Sequence, residues 1–370
     1  MISCEIMPEF FRCLMEKFDS ITHFLQSGDF DYRVFDMGRK VISIPNREFQ
    51  KIEAQEQAYP YPFQQKAWMA LLFWSKKSGE NKNPVIWFLQ LPIDEMGFLK
   101  QDARDGFLIG LLEQAGKNIQ AKQAGDITQD DLGESPFAFK PQADRLAMFH
   151  ALATKALNQP PSRYYQFAHD YLTDAIAFDQ WQFLGLQGIA DIVARLDQDD
   201  NEALLANTIS NMPQAPLESF CRLLENVESK NLLAQALMKK LFLTLENTQV
   251  EDLPLQSMLV RASSGIQADK LRQEILMRVL DSIIGREIEI LAAISGRAWN
   301  DLRVNNEILE LFIANLATQN QAAFNAILAD LMMLPEMRDI VLGQMRSPER
   351  SSELSHKLSE FMQELKLTGN

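Results

Sequence analysis

The densest polar constellation in the sequence is Asp94-Glu95, Asp102, Arg104 and Asp105, set beside the apolar run Val85 to Leu89. Carboxylates grouped in this way could hold Mg²⁺ or work as acid and base in a metal-dependent hydrolase. A plainer reading is preferred. Acidic side chains in the first turns of a helix accept from its free N–H groups and complement its dipole, and Arg104 can neutralise a neighbour. A second group, His150 with His169-Asp170 and Asp174, has the residue types of a helical phosphohydrolase centre, in which imidazole and carboxylate bind a divalent ion. Its spacing is short and no later Asp completes it, so His169 reads better as an ordinary helical histidine. The phosphate-binding loop, the dinucleotide fingerprint, the zinc-protease helix and the serine-hydrolase elbow all lack their signatures. No metal and no cofactor is expected.

The third group is defined by charge alone. Residues 170 to 230 carry eleven Asp and Glu against Arg195, Arg222 and Lys230, a net of −8 within a whole-chain −14. Its centre is the run Asp197 to Glu202. Such runs usually mark a solvated face. If the flanking helices stack as a solenoid, however, their loops share one edge, and Asp197, Asp199, Asp200 and Glu202 form a negative rim that steers a basic protein partner. The same acid bias disfavours nucleic acid and anionic lipid as partners.

Those groups must be positioned by a long chain. Its 370 residues are 46% apolar, enough for more than one core. Cys4, Cys13 and Cys221 are odd in number and lack C-x-x-C spacing, which points to a reduced, cytoplasmic setting. The acidic N-terminus reads as an amphipathic helix at 8–26 and not as a signal peptide. The longest apolar run, Ala67 to Trp74, is far too short to span a membrane.

Tyr32 to Met37 and Lys40 to Ile44 read as a hairpin turning at Gly38-Arg39, followed by a helix at 46–57 and an extended Tyr59-Pro60-Tyr61-Pro62 connector. The apolar runs Trp68 to Trp74 and Val85 to Leu89 suit central strands buried on both faces, and a helix at 99–116 follows. Helix, hairpin, helix, hairpin, helix predicts an α+β domain over 1–125, two tandem ββα units forming a four-stranded, mainly antiparallel sheet. A Gly- and Asp-rich linker is expected at 126–141.

From residue 142 to 370 only helical patterns recur. Leu271, Ile275, Val279 and Ile283 share one face, as do Ile308, Phe312 and Leu316. Pro216-Leu217-Glu218-Ser219-Phe220 returns as Pro254-Leu255-Gln256-Ser257-Met258 after 38 residues, close to the ~40-residue period of two-helix repeats. An all-α, HEAT-like array is therefore expected.

The stretches FDMGRKVISIP, from Phe35, and PVIWFLQLPIDEMGFLKQDARDGFL, from Pro84, resemble an uncharacterised family of bacterial cytoplasmic proteins classed only as a domain of unknown function. The likeness extends to overall length, to the hairpin ending at Gly38-Arg39 and to the Leu91 to Gly97 stretch. It implies a bacterial, cytosolic protein and contributes no catalytic residue. The functional expectation is a non-catalytic scaffold or adaptor that offers a helical surface to a protein partner.

Overall fold

The computed structural model describes residues 20–78, 84–110, 135–246, 252–346 and 350–368. Those parts of the expected helices 8–26 and 99–116 and of linker 126–141 that fall before residue 20 or within 111–134 lie outside the described residues. The chain divides into two compact units, Met1–Pro141 with Met333–Pro335, and Gln142–Met332 with Glu336–Asn370.

In the first unit, helix α1 (Ile21–Ser27) leads into β1 (Phe30–Asp36), β2 (Ile42–Ile44), α2 (Asn46–Glu53), β3 (Lys66–Ser75), β4 (Val85–Pro92) and helix α3 over 101–110. The four strands form one antiparallel sheet in the order β2-β1-β3-β4. Because side chains alternate along a strand, Ala67, Met69, Leu71 and Phe73 share a face with Tyr32, Val34, Trp87, Leu89 and Leu91. Ile21, Leu25, Phe49, Ile52, Phe107 and Leu108 from the three helices complete that core. Trp87 sits at its centre, with its ring 4.5 Å from Phe73 and 5.8 Å from Phe107. Both Trp87 and Trp74 are buried.

One expectation needs correction: β3 is central, but β4 is the edge strand. A continuous apolar run reports burial of both faces and carries no information about strand order. The edge of β4 is covered by Phe137 to Phe139, the Gln90 N–H donating to Phe137 O at 2.7 Å and the Phe139 N–H to Phe88 O at 3.1 Å. Phe139 also meets Trp68 and Phe88 edge-on, closing part of the second face and protecting an otherwise open sheet edge.

The first hairpin is held by a buried polar network. Asp36 Oδ2 accepts from the Arg39 and Lys40 N–H groups, and its Oδ1 accepts from the Tyr59 hydroxyl at 2.8 Å. The fully buried Arg39 donates through Nε to Pro62 O at 2.8 Å. Burial, reinforced by the Asp36 charge, pushes the Tyr59 hydroxyl well above its ordinary pKa, so it stays a donor. The Tyr-Pro-Tyr-Pro connector is thereby anchored to the turn at Gly38-Arg39.

The second unit is helical. It opens with α4 (Ala143–Ala156), α5 (Tyr165–Leu172), α6 (Leu186–Ala194), α7 (Asn201–Thr208), α8 (Gln214–Leu224), α9 (Asn231–Glu246), α10 (Leu253–Ser263), α11 (Asp269–Asp281) and α12 (Ile288–Arg297). Alternate helices stack: α4, α6, α8, α10 and α12 pack in succession, and α5, α7 and α9 form a second row. The recurring Pro-Leu segments lie in α8 and α10, which pack together, each burying its leucine, Leu217 and Leu255. Further helices run from Trp299 to Thr368, and in Asn306–Ala317 the face of Ile308, Phe312 and Leu316 is fully buried. Ile283 departs from its expected face and is 77% exposed, because α11 stops at Asp281 and Ile283 begins a separate 3₁₀ turn. Among the described residues no helix is long and apolar enough to cross a membrane.

Candidate functional site

The Asp197 to Glu202 run lies where α6 gives way to α7. Its approach is rigid: Arg195, ending α6, pairs with Asp191 at 3.1 Å and reaches Thr154 Oγ1 and Gln159 O. Buried Asn201 donates to Arg195 O and to the Tyr165 hydroxyl, each at 2.9 Å. That hydroxyl donates in turn to Asp199 Oδ2 at 2.7 Å, and burial together with this carboxylate pushes its pKa up to about 12. Asp199 and Asp200 both adopt left-handed backbone, at φ 50° and 55°, a conformation that Asp tolerates better than most residues.

The four acidic residues have different surroundings. Asp197 Oδ1 lies 2.5 Å from Lys155 Nζ, a contact that holds its carboxyl below the ordinary value. Glu202 Oε1 accepts from the Lys230 N–H at 2.5 Å. Asp200 precedes α7 without capping it through its side chain and stands exposed.

Backbone hydrogen bonds extend this edge to the next loops. The Ser229 N–H donates to Gly265 O at 2.8 Å and the Gln267 N–H to Ser229 O at 3.0 Å, a short parallel ladder between the α8–α9 and α10–α11 connections. Together with the Glu202 contact to Lys230, this places three interhelical loops side by side. Between the first two of them is an open concavity of about 380 Å³, lined by Leu196, Asp197, Asp200, Glu202, Ala203, Lys230 and Leu232. A smaller one of about 130 Å³ adjoins it through Lys230 and includes Ser229 and Gln267. The Ser229 hydroxyl is buried and has no hydrogen-bond partner. Three of the four expected rim residues thus line one concavity; Asp199 holds Tyr165 instead.

The other acidic group is dispersed among structural tasks. Asp94 Oδ1 accepts from the Met96 and Phe98 N–H groups, both at 2.9 Å, organising a turn in which Gly97 has a φ of 84°. Arg104 binds Asp105 at 2.7 Å and donates to Glu53 O at 3.1 Å, while Asp102 is exposed in the first turn of α3. Glu95 is exposed beside Met96. His169 lies beside Tyr165 with the two rings tilted and 6.1 Å apart, Asp170 accepts from Gln166, and burial lowers the His150 pKa. Among the described residues no group of three or more His, Cys, Asp or Glu is placed to hold a metal ion.

Sequence reading missed Lys155, Tyr165, Ser229 and Leu232 as parts of the edge, since nothing local marks them. It also missed a buried network with a legible signal. Glu225, Arg261 and Arg297 are each 36 residues apart, and the carboxylate of Glu225 holds Arg261 Nε at 2.5 Å and Arg297 Nε at 2.9 Å. A charge reappearing at a repeat interval, one member acidic and two basic, is what stacked helix ends can pair.

No curated protein and no solved structure matches the chain. A family model does match, over residues 16–362, and its description is a protein of unknown function, DUF3549. With nearly the whole chain covered, from before the first strand to within the last helix, the protein belongs to the DUF3549 family.

Proposed function

We propose that this protein is a non-catalytic interaction scaffold of the bacterial cytoplasm, whose helical unit works as a HEAT-like array and docks a protein partner along its loop edge. The observation that carries this reading is the side-by-side placement of three interhelical loops along one edge, the first two enclosing the acidic concavity of Asp197, Asp200 and Glu202. Stacked helices keep such loops in register without special side-chain chemistry, which suits a surface used for docking. The acidic balance of residues 170 to 230 favours a basic protein over nucleic acid or an anionic membrane surface.

The experiment is affinity capture of the tagged protein from its native cell, followed by kinetics with the purified partner. Replacing Asp197, Asp199 and Asp200 together with Asn lowers the association rate at low salt, and the loss shrinks as salt rises. An unchanged rate at low salt removes the rim as the docking edge, and failure to recover any stoichiometric protein removes the scaffold.

A further inference from the structure

We infer that the loop-edge concavity receives a lysine or arginine side chain from an extended segment of the partner, an assignment that rests on the scaffold reading. Three features of the concavity select that chemistry. The first is Asp200, exposed and without a side-chain cap bond, whereas Asp197 is held by Lys155 and Glu202 by the Lys230 N–H. An arriving cation meets Asp200 as the carboxylate least committed to the protein's own groups.

The second is the apolar lining. Leu196, Ala203 and Leu232 contribute to the same concavity, and Leu232 is 62% exposed. Lysine and arginine carry long methylene stems that cover such surface while the charged end stays polar. A small inorganic cation would leave this shelf bare.

The third is independent of charge. Ser229 is 1% exposed, its hydroxyl has no partner, and it lines the smaller concavity that adjoins the first through Lys230. A buried hydroxyl without a hydrogen bond is costly, and a ligand group placed there removes that cost. The unpartnered hydroxyl has a proton to donate, so a peptide carbonyl of the incoming segment takes the Ser229 O–H. The pairing of a cation pocket with an adjacent carbonyl site is the pattern of an extended basic peptide.

The test uses the full chain and a fluorescein-labelled hexapeptide alternating leucine and arginine, with an alternating leucine–glutamate hexapeptide as comparison, read by fluorescence anisotropy. The basic peptide binds and the acidic one does not. Asp200→Asn weakens binding about three- to tenfold, and Ser229→Ala about two- to fivefold, with thermal unfolding of both variants unchanged. Absence of binding, or binding indifferent to Asp200→Asn, overturns the assignment. A response to Asp200→Asn with none to Ser229→Ala reduces the site to a charge contact and also overturns the extended segment. If a captured partner still depends on the acidic rim while the hexapeptide fails, the side-chain assignment falls and the scaffold stands. If no partner is captured at all, the scaffold itself falls.

Discussion

Arg297 Nε lies 2.9 Å from the carboxylate of Glu225, although 72 residues separate them, and Arg261 reaches the same oxygen from midway between the two. One buried carboxylate therefore ties together the ends of α8, α10 and α12. Burial alone would raise the Glu225 pKa; the Arg297 and Arg261 guanidiniums outweigh it and hold the carboxyl at about 2, against 4.5 in the unfolded chain.

The sign of the resulting pH dependence follows. A depressed carboxylate pKa contributes stability that is fully present above pH 4.5 and is lost as pH falls toward 2, about 3 kcal/mol in all. Glu225→Gln leaves two guanidiniums without their counter-charge and costs about 3–5 kcal/mol at neutral pH. Urea unfolding between pH 7 and pH 3 checks both: the variant is less stable throughout and shows a shallower acid slope than the wild type.

Trp87 is fully buried between Phe73 and Phe107, in the core shared by the sheet and its helices. Trp87→Ala costs about 3–5 kcal/mol by lost transfer energy and an unfilled cavity. Chemical denaturation measures it. A change within error means that strand β4 does not pack as described.

Asp94 serves the backbone of its own turn through two accepted hydrogen bonds. Asp94→Ala costs about 1–2 kcal/mol, while Asp102→Ala and Asp105→Ala each cost a fraction of a kcal/mol to about 1 kcal/mol. Differential scanning calorimetry with and without Mg²⁺ separates this from a metal role. A melting temperature that Mg²⁺ raises in the wild type and leaves untouched in Asp94→Ala would favour the hydrolase alternative.

The Tyr165 hydroxyl links Asp199 to Asn201 and thereby shapes the loop that carries Asp200. Tyr165→Phe leaves the Asn201 amide and Asp199 each one partner short, and costs about 1–2 kcal/mol. Hydrogen exchange at the N–H groups of residues 198–201 rises in this variant if the link orders the loop. Unaltered exchange there shows that the two left-handed aspartates hold without it.

Patterning alone determined the elements. β-rich runs and continuous apolar runs marked the four strands, helical spacing marked Ile308, Phe312 and Leu316 as a buried face, and two prolines at a repeat interval marked α8 and α10 as equivalent. These features depend on neighbours within one or two turns or one strand, so they are written locally. Strand order is not local, and β4 became an edge because β1 pairs on both of its sides and Phe137 to Phe139 supply the missing cover.

The candidate site divides along the same line. Acidic residues at 197, 199, 200 and 202 were visible as a charge run, but only packing separated them: Lys155 approaches from α4, Tyr165 from α5 and Lys230 from the loop before α9. The cluster at Asp94 looked equally rich in sequence, yet in the fold its carboxylates meet backbone N–H groups, Arg104 and solvent. Ser229 had no mark at all, because an unpartnered hydroxyl is defined by what surrounds it, and its surroundings come from a loop 36 to 38 residues away. Residue type and spacing specify which groups can do chemistry; the close approach of distant chain decides which of them are already satisfied.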